Sequence, residues 1–125
     1  MKKINLNIED IFNIPTAVIY NPDLFKSVYH VSIDSRNIKK NTLFIAIKGE
    51  RFDGHDFIDE VVKKGAIAVL ISEKYLKKIK DFNIPVITVK DTTIALGEVA
   101  KLWRSKLKAK IIGATGSAGK TTKKE

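Results

Sequence analysis

Residues Ala114-Thr115-Gly116-Ser117-Ala118-Gly119-Lys120-Thr121-Thr122 have the types and spacing of a loop that wraps a phosphate. Glycines let successive backbone N–H groups turn toward an anion. Lys120 brings a flexible point charge to β- and γ-phosphates, and the Thr121 hydroxyl is placed to ligate Mg²⁺. The pattern departs from G-x-x-x-x-G-K-[ST] in its first position, where Ala114 replaces glycine. The apolar run Lys110-Ile111-Ile112-Gly113-Ala114 reads as a buried strand feeding the loop, with a helix to follow, an arrangement that aims N–H groups and a helix N-terminus at the anion. Phosphoryl transfer also needs an acidic metal ligand from a later strand and further cations, and the sequence offers none after Glu125. The chain therefore reads as two parts: an N-terminal domain over residues 1–107 and, over 108–125, the first strand and phosphate loop of a second, truncated domain. Without the rest of that domain the loop is expected to be poorly ordered.

A second cluster, Lys48-Gly49-Glu50-Arg51-Phe52-Asp53-Gly54-His55-Asp56, directly follows an apolar run. Ligands of open α/β sheets collect beyond the carboxyl ends of strands, so the position suits a binding site. Gly49 and Gly54 admit close backbone approach, Arg51 offers a fork for phosphate, and Phe52 offers a ring on which a planar base can stack. Asp34-Ser35-Arg36, at the end of another strand, adds a hydroxyl and a second guanidinium. Each feature also has a local reading. Asp53-Gly54 is a turn pair, His55-Asp56 can cap a helix, and Asp34 with Ser35 can bond the neighbouring backbone. Capping fits His55 better than general-base catalysis, because no nucleophile or metal partner is spaced near it.

The elements that must position these clusters follow from periodicity. Asn7 is a candidate N-cap for a short helix with Ile8, Ile11 and Phe12 on one side, ending before Pro15. Val28–Ile33 and Leu43–Ile47 read as strands, the second buried on both faces. Phe57, Ile58, Val61 and Val62 repeat at helical spacing between early acids and late lysines, with Gly65 as the stop. Ala66–Ile71 and Pro85–Val89 read as strands, and Glu73–Lys80 as a short helix with a solvated lysine face. Asp91 or Thr92 caps a longer helix carrying Ile94, Leu96, Val99, Ala100, Trp103 and Leu107. The alternation of strand and helix is the α/β signature.

Composition narrows the function. A chain of 125 residues holds one ordinary core. The net charge of +9 is uneven: residues 101–125 hold eight basic residues and one acid, leaving 15 basic and 13 acidic residues before them. That excess sits on one helix and the phosphate loop, and the first hundred residues show no basic stripe interleaved with aromatics, so nucleic acid is not an expected partner. Cysteine is absent, which excludes disulfides and thiolate metal sites. The N-terminus lacks an apolar signal region and no stretch reaches membrane-spanning length, so a cytoplasmic protein without membrane insertion is expected.

Two blocks carry a family resemblance. Val31-Ser32-Ile33-Asp34-Ser35-Arg36 followed by Leu43–Phe57 resembles the N-terminal domain of the Mur ligases that add to the muramoyl peptide. Asp91-Thr92, Ala95-Leu96, Leu102-Trp103-Arg104 and Ile111–Glu125 are similar to the approach to their ATP loop. The resemblance implies a mixed sheet with flanking helices for the first domain, which holds the uridine diphosphate of the substrate. It implies ATP and Mg²⁺ as cofactors of the full-length enzyme, and a UDP-N-acetylmuramoyl-peptide and an amino acid or D-Ala-D-Ala as small-molecule substrates. It implies a monomer that joins them through an acyl phosphate, with the part present here inactive alone. Carried over by position, Ser35 and Glu50-Arg51-Phe52, with Arg36 and Gly49 beside them, fall on the UDP contacts. Thr115, Gly116, Ser117, Ala118, Gly119, Lys120, Thr121 and Thr122 fall on the ATP loop, with Lys120 catalytic and Thr121 on the metal. Asn41 stands where the family commonly has glycine, which Asn tolerates in a left-handed conformation, and Ala118 stands where Asn or Ser is usual. A module that binds a UDP-sugar or nucleic acid without chemistry is the alternative of a different class; salt-sensitive oligonucleotide binding would mark the latter.

Overall fold

A computed structural model describes residues 5–79 and 83–115; for Lys78 and residues 109–115 it describes the backbone alone. Five strands form one mixed sheet in the order β1-β5-β4-β3-β2. They are β1 (Val18–Tyr20), β2 (His30–Ser32), β3 (Thr42–Ile45), β4 (Ala66–Ser72) and β5 (Val86–Val89). β2 to β5 run parallel, and β1 pairs antiparallel with β5 at one edge. β1 is a strand the periodicity did not suggest: three residues with Val18 and Tyr20 largely exposed carry no alternating signal.

β3, β4 and β5 are buried on both faces, as parallel strands covered by helices must be. Leu43 and Ile45 of β3 join Leu70, Ile87 and Val89 under α1 (Ile8–Phe12) and α3 (Thr92–Thr115). Phe44 and Ala46 join Val69, Ile71 and Val86 under α2 (Ile58–Lys64). Thr42 pairs with Ala66 but Leu43 with Ala68, so Ile67 is an extra residue in β4. That bulge explains why Ala66 and Ala68, two apart, lie in opposite cores.

The α1 cap forms as expected. Asn7 Oδ1 accepts the Asp10 N–H at 3.0 Å and Asp10 Oδ2 accepts the Asn7 N–H at 2.9 Å, a reciprocal capping box. Ile11 is buried but Phe12 is 59% exposed, against expectation, because the five-residue helix ends at once and Ile14 beyond it fills the core instead. Gly65 ends α2 at φ 116°. Asn41 stands at φ 60°, the left-handed conformation that lets it serve where glycine would. The expected helix after β4 is a tighter 3₁₀ segment, Glu73–Lys78, preceded by another at Gly54–Phe57 before α2.

α3 corrects the strand expected at residues 110–114: the helix continues from Thr92 to Thr115. A short apolar run is ambiguous between strand and helix. Among the described residues no strand lies beside it to pair with, and a helix satisfies its own backbone. The helix passes through residue 107 without a break. Part of its positive charge is spent within the fold, where Lys106 Nζ meets Asp10 of α1 at 3.0 Å and Lys101 meets Glu98 at 3.5 Å.

Candidate functional site

β2 and β3 are parallel neighbours, so the segments leaving their carboxyl ends emerge side by side. Between them and α2 lies a cleft of about 570 Å³, lined on one wall by Asp34, Ser35 and Arg36 and on the other by Phe52, Gly54 and Glu60. Phe44, Ile47 and Phe57 supply its apolar floor. Two expected ligand segments, some fifteen residues apart in sequence, thus meet in one concavity of the size that small-molecule sites occupy.

The Asp34 wall is built locally. Ser32 Oγ accepts the Asp34 N–H and donates to the Asp34 carbonyl, both at 3.0 Å. Asp34 Oδ1 accepts the Arg36 N–H at 2.9 Å. The hydroxyl that shapes this turn is therefore Ser32, while Ser35 Oγ has no partner among the described residues. The Ser35 carbonyl accepts from Lys64 Nζ, which also pairs with Glu60, both at 3.0 Å. Arg36 reaches back with Nε and Nη2 to the Asp34 carboxylate at 3.1 and 3.2 Å, while remaining 85% exposed. The Arg36 guanidinium beside it holds the Asp34 carboxyl below the usual carboxylate range.

The opposite wall is a tight reversal. Lys48 and Asp53 form an antiparallel bridge, and the Gly49 N–H donates to the Phe52 carbonyl at 2.7 Å. Gly49, Glu50, Arg51 and Phe52 are all exposed at its tip. Of these only Phe52 lines the cleft, 69% exposed, its ring tilted at 55° to Phe57 with centroids 6.5 Å apart. Gly49, Glu50 and Arg51 do not line it. Gly54 returns to the sheet, donating to the Ile47 carbonyl at 2.9 Å. A Cβ there would lie 2.8 Å from the Ile47 nitrogen and 3.0 Å from the Ala46 Cα, so glycine is required by close backbone approach.

Behind the reversal lies a network the sequence did not suggest. Asp53 Oδ1 accepts the His55 N–H at 3.0 Å and meets His55 Nδ1 at 2.5 Å, while Tyr75 Oη donates to Asp53 Oδ2 at 2.6 Å. His55, its side chain 3% exposed, stacks on Tyr75 with centroids 3.7 Å apart. The Ser72 N–H donates to His55 Nε2 at 3.0 Å. That contact assigns the tautomer: Nε2 accepts, so the proton sits on Nδ1 and donates to Asp53. Burial pushes the Asp53 carboxyl up, but the Tyr75 hydroxyl, then the His55 ring and N–H, donate to its ionised form and hold it at about 2. The same bond to Asp53 raises the Tyr75 phenol. The capping expectation is shifted by two residues, since Asp53 is the cap of Gly54–Phe57 and His55 is a buried strut. The available signal was Tyr75, one of few apolar residues in a lysine-rich segment, but no local spacing ties it to Asp53.

Of the expected ATP contacts, Gly116, Ser117, Ala118, Gly119, Lys120, Thr121 and Thr122 lie outside the described residues, and Thr115 is described only as the last residue of α3. Among the described residues no group of three or more His, Asp or Glu is placed to hold a metal. No described helix is long and apolar enough to cross a membrane.

Comparison with known proteins supplies the lineage. Residues 27–104 match the model described as Mur ligase family, catalytic domain. The UDP-N-acetylmuramoyl-tripeptide--D-alanyl-D-alanine ligase of Haemophilus influenzae is 42% identical over 98 residues, 78% of this chain and 21% of the relative. The UDP-N-acetylmuramoyl-L-alanyl-D-glutamate--2,6-diaminopimelate ligase of Aquifex aeolicus is 42% identical over 113 residues, 86% of this chain and 22% of the relative. The crystal structure of MurF from Acinetobacter baumannii superposes with a TM-score of 0.65 at 24% identity, over 78% of this chain and 21% of that one, a likeness of fold. The chain spans about a fifth of the length of these relatives. It belongs to the Mur ligase family.

Proposed function

We propose, from that membership, that the chain is the substrate-recognition part of a MurF-type ligase, in which the cleft between Asp34-Ser35-Arg36 and Phe52-Gly54 takes the uridine diphosphate end of UDP-N-acetylmuramoyl-tripeptide. The observation that carries the reading is the convergence of Ser35, Arg36 and Phe52 on one cleft beside Gly54. Phe52 presents an open ring face for the base. The unpartnered Ser35 hydroxyl can donate or accept, and Arg36 supplies the fork that suits a phosphate. Asp34 and Glu60, also in the lining, are acceptors suited to ribose hydroxyls or a base N–H. To Glu50 and Arg51, exposed and outside the lining, this reading gives the parts of the substrate that leave the cleft.

The whole reaction we assign to the full-length enzyme is amide synthesis driven by ATP. The tripeptide carboxylate takes the γ-phosphoryl group, releasing ADP, and the amine of D-Ala-D-Ala displaces phosphate from the acyl phosphate. In this reading the loop over residues 115–122 cradles the ATP phosphates. Lys120 neutralises charge on the transferring group and Thr121 helps hold Mg²⁺, which offsets the charge of the phosphates. Residues 108–125 belong in this reading to the start of the ATP domain and residues 1–107 to the substrate domain.

Titration calorimetry of UDP into the folded chain tests the cleft. Measurable binding that falls on Phe52→Ala and on Ser35→Ala is expected; no UDP-dependent heat from folded protein would overturn the reading. A second reading, a ligase that adds the third amino acid, is favoured by the 42% identity to the diaminopimelate ligase, equal to that of the D-alanyl-D-alanine relative. The two share the UDP end of the substrate and differ in the amino component, so assays of the full-length enzyme with each amino component separate them.

A further inference from the structure

We infer that Asp53, His55 and Tyr75 form a clamp that fixes the position of Phe52, making His55 and Tyr75 positioning residues for the ligand although neither lines the cleft. The inference rests on the reading of the cleft as a uridine nucleotide site.

Phe52 is poorly held by its own side chain. The residue is 69% exposed and, among the described residues, has one ring neighbour, Phe57, at 6.5 Å. The three residues before it are exposed as well. Where Phe52 stands is thus set by the backbone, and that backbone is fastened from behind. Both carboxylate oxygens of Asp53, the next residue, are occupied from within: Oδ1 by the His55 N–H and ring, Oδ2 by Tyr75 Oη. Asp53 is thus engaged on both oxygens by its own chain and serves to hold it.

The two partners tie Asp53 to the end of the sheet by different routes. His55 is locked by the Ser72 N–H at the last residue of β4 and stacks on Tyr75, while Tyr75 sits on the 3₁₀ segment that leaves β4. The anchor is a strand buried in both cores, the rigid kind of support a binding group needs. Gly49 and Gly54 complete the reversal by backbone hydrogen bonds to Phe52 and Ile47. If the clamp loosens, Phe52 keeps its chemistry and loses its place, and affinity falls through the cost of ordering it on binding.

The test pairs affinity with local opening in the folded chain. Tyr75→Phe removes the hydroxyl of a half-buried residue and leaves the stacking ring in place. It is expected to weaken UDP binding on the order of five-fold, the scale of one hydrogen bond's contribution. The loss is expected to shrink below about two-fold when Phe52 is already alanine, and to persist in full beside Ser35→Ala on the other wall, since only residues acting through each other fail to add. Equal losses in all three backgrounds, or none in the wild-type background, would overturn the clamp. Amide hydrogen exchange gives a ligand-free readout: Tyr75→Phe should speed exchange at Gly49 and Gly54 and leave Leu70 and Ile87 unchanged. Uniform loss across all four amides, or no change at Gly49 and Gly54, would mean a merely structural network. Failure of the wild-type chain to bind UDP would refute the cleft reading, while the exchange pattern would still decide the clamp; Asp53→Asn, nearly isosteric, serves as the second variant.

Discussion

Asp53→Asn should cost stability in a way that depends on pH, and the dependence can be worked from the site. The carboxyl sits at about 2 in the folded chain against an ordinary 3.8. A gap of that width corresponds to on the order of 2 kcal/mol of preference for the ionised form in the folded state. The Asp53 side chain is 17% exposed, and solvent screening reduces the expected contribution to about 1–2 kcal/mol. Because the folded value is depressed, the unfolded chain takes up the proton first as pH falls. The stabilisation is thus complete above the ordinary carboxylate value and is lost as pH drops from about 4 toward about 2. Asn at this position removes the titration while keeping an acceptor and nearly the same shape.

Urea unfolding of both proteins at steps between pH 7 and pH 2.5, followed by far-ultraviolet circular dichroism, reads the effect. The other carboxylates titrate in both proteins, so they cancel in the difference between the two. The wild type should lead by about 1–2 kcal/mol near neutrality, beyond any constant offset from altered hydrogen bonding. That lead should narrow steadily below about pH 4 and have fallen by more than half at about pH 2.5. A difference that stays constant down to pH 2.5 would refute the argument that the Tyr75 and His55 bonds favour the charged carboxylate.

Two further perturbations follow from the backbone. Gly54→Ala would press a methyl group against the Ile47 nitrogen at 2.8 Å and the Ala46 Cα at 3.0 Å, neither of which can rotate away. It should destabilise by about 1–3 kcal/mol in urea unfolding and abolish UDP binding; unchanged stability would show that the approach is looser than drawn. Thr16, a β-branched residue at φ 64°, accepts the Lys90 N–H on Oγ1 at 3.0 Å. Thr16→Asn retains a short acceptor in a side chain that tolerates the left-handed region, and should stabilise by on the order of 1 kcal/mol. A lower melting temperature would count against strain at this turn.

The parts of the fold legible in sequence were those with a strong local signal. Gly65 after Lys63-Lys64, Asn7 three residues before Asp10, and the unbroken apolar run of β4 each encode their structure in a few adjacent residues. β1 escaped because its place is fixed by pairing with β5, some seventy residues away, and not by its own pattern. The run at 110–114 misled because an apolar segment without a neighbour to pair with can form a helix as readily as a strand. The site shows the same division. That Ser35, Arg36 and Phe52 would share one cleft was readable because adjacent parallel strands bring the segments leaving their carboxyl ends together. The partnership of Asp53 with Tyr75 spans twenty-two positions and crosses from one strand's exit to another's. Only the fold makes them neighbours.

The charge arrangement in the cleft bears on how a diphosphate would enter it. Asp34 and Glu60 bring two negative charges, each already matched: Arg36 grips Asp34 and Lys64 bridges Glu60 to the Ser35 carbonyl. With Lys64 counted beside the lining the cleft is close to neutral, and its one lining cation, Arg36, is already paired. A phosphate that takes the Nε–Nη2 edge of Arg36 would therefore draw it off Asp34. That exchange is open to it because the Arg36–Asp34 pair is exposed, and exposed pairs hold weakly. The released Asp34 carboxylate can then accept from a ribose hydroxyl, so the exchange leaves neither charge stranded. Asp34→Asn should accordingly have opposite effects on two ligands. It loosens the hold on Arg36 and so strengthens binding of UDP relative to uridine, while weakening uridine itself by loss of the charge and of one of the two acceptor oxygens. If calorimetry shows both ligands losing affinity in the same ratio, Arg36 does not change partners on binding.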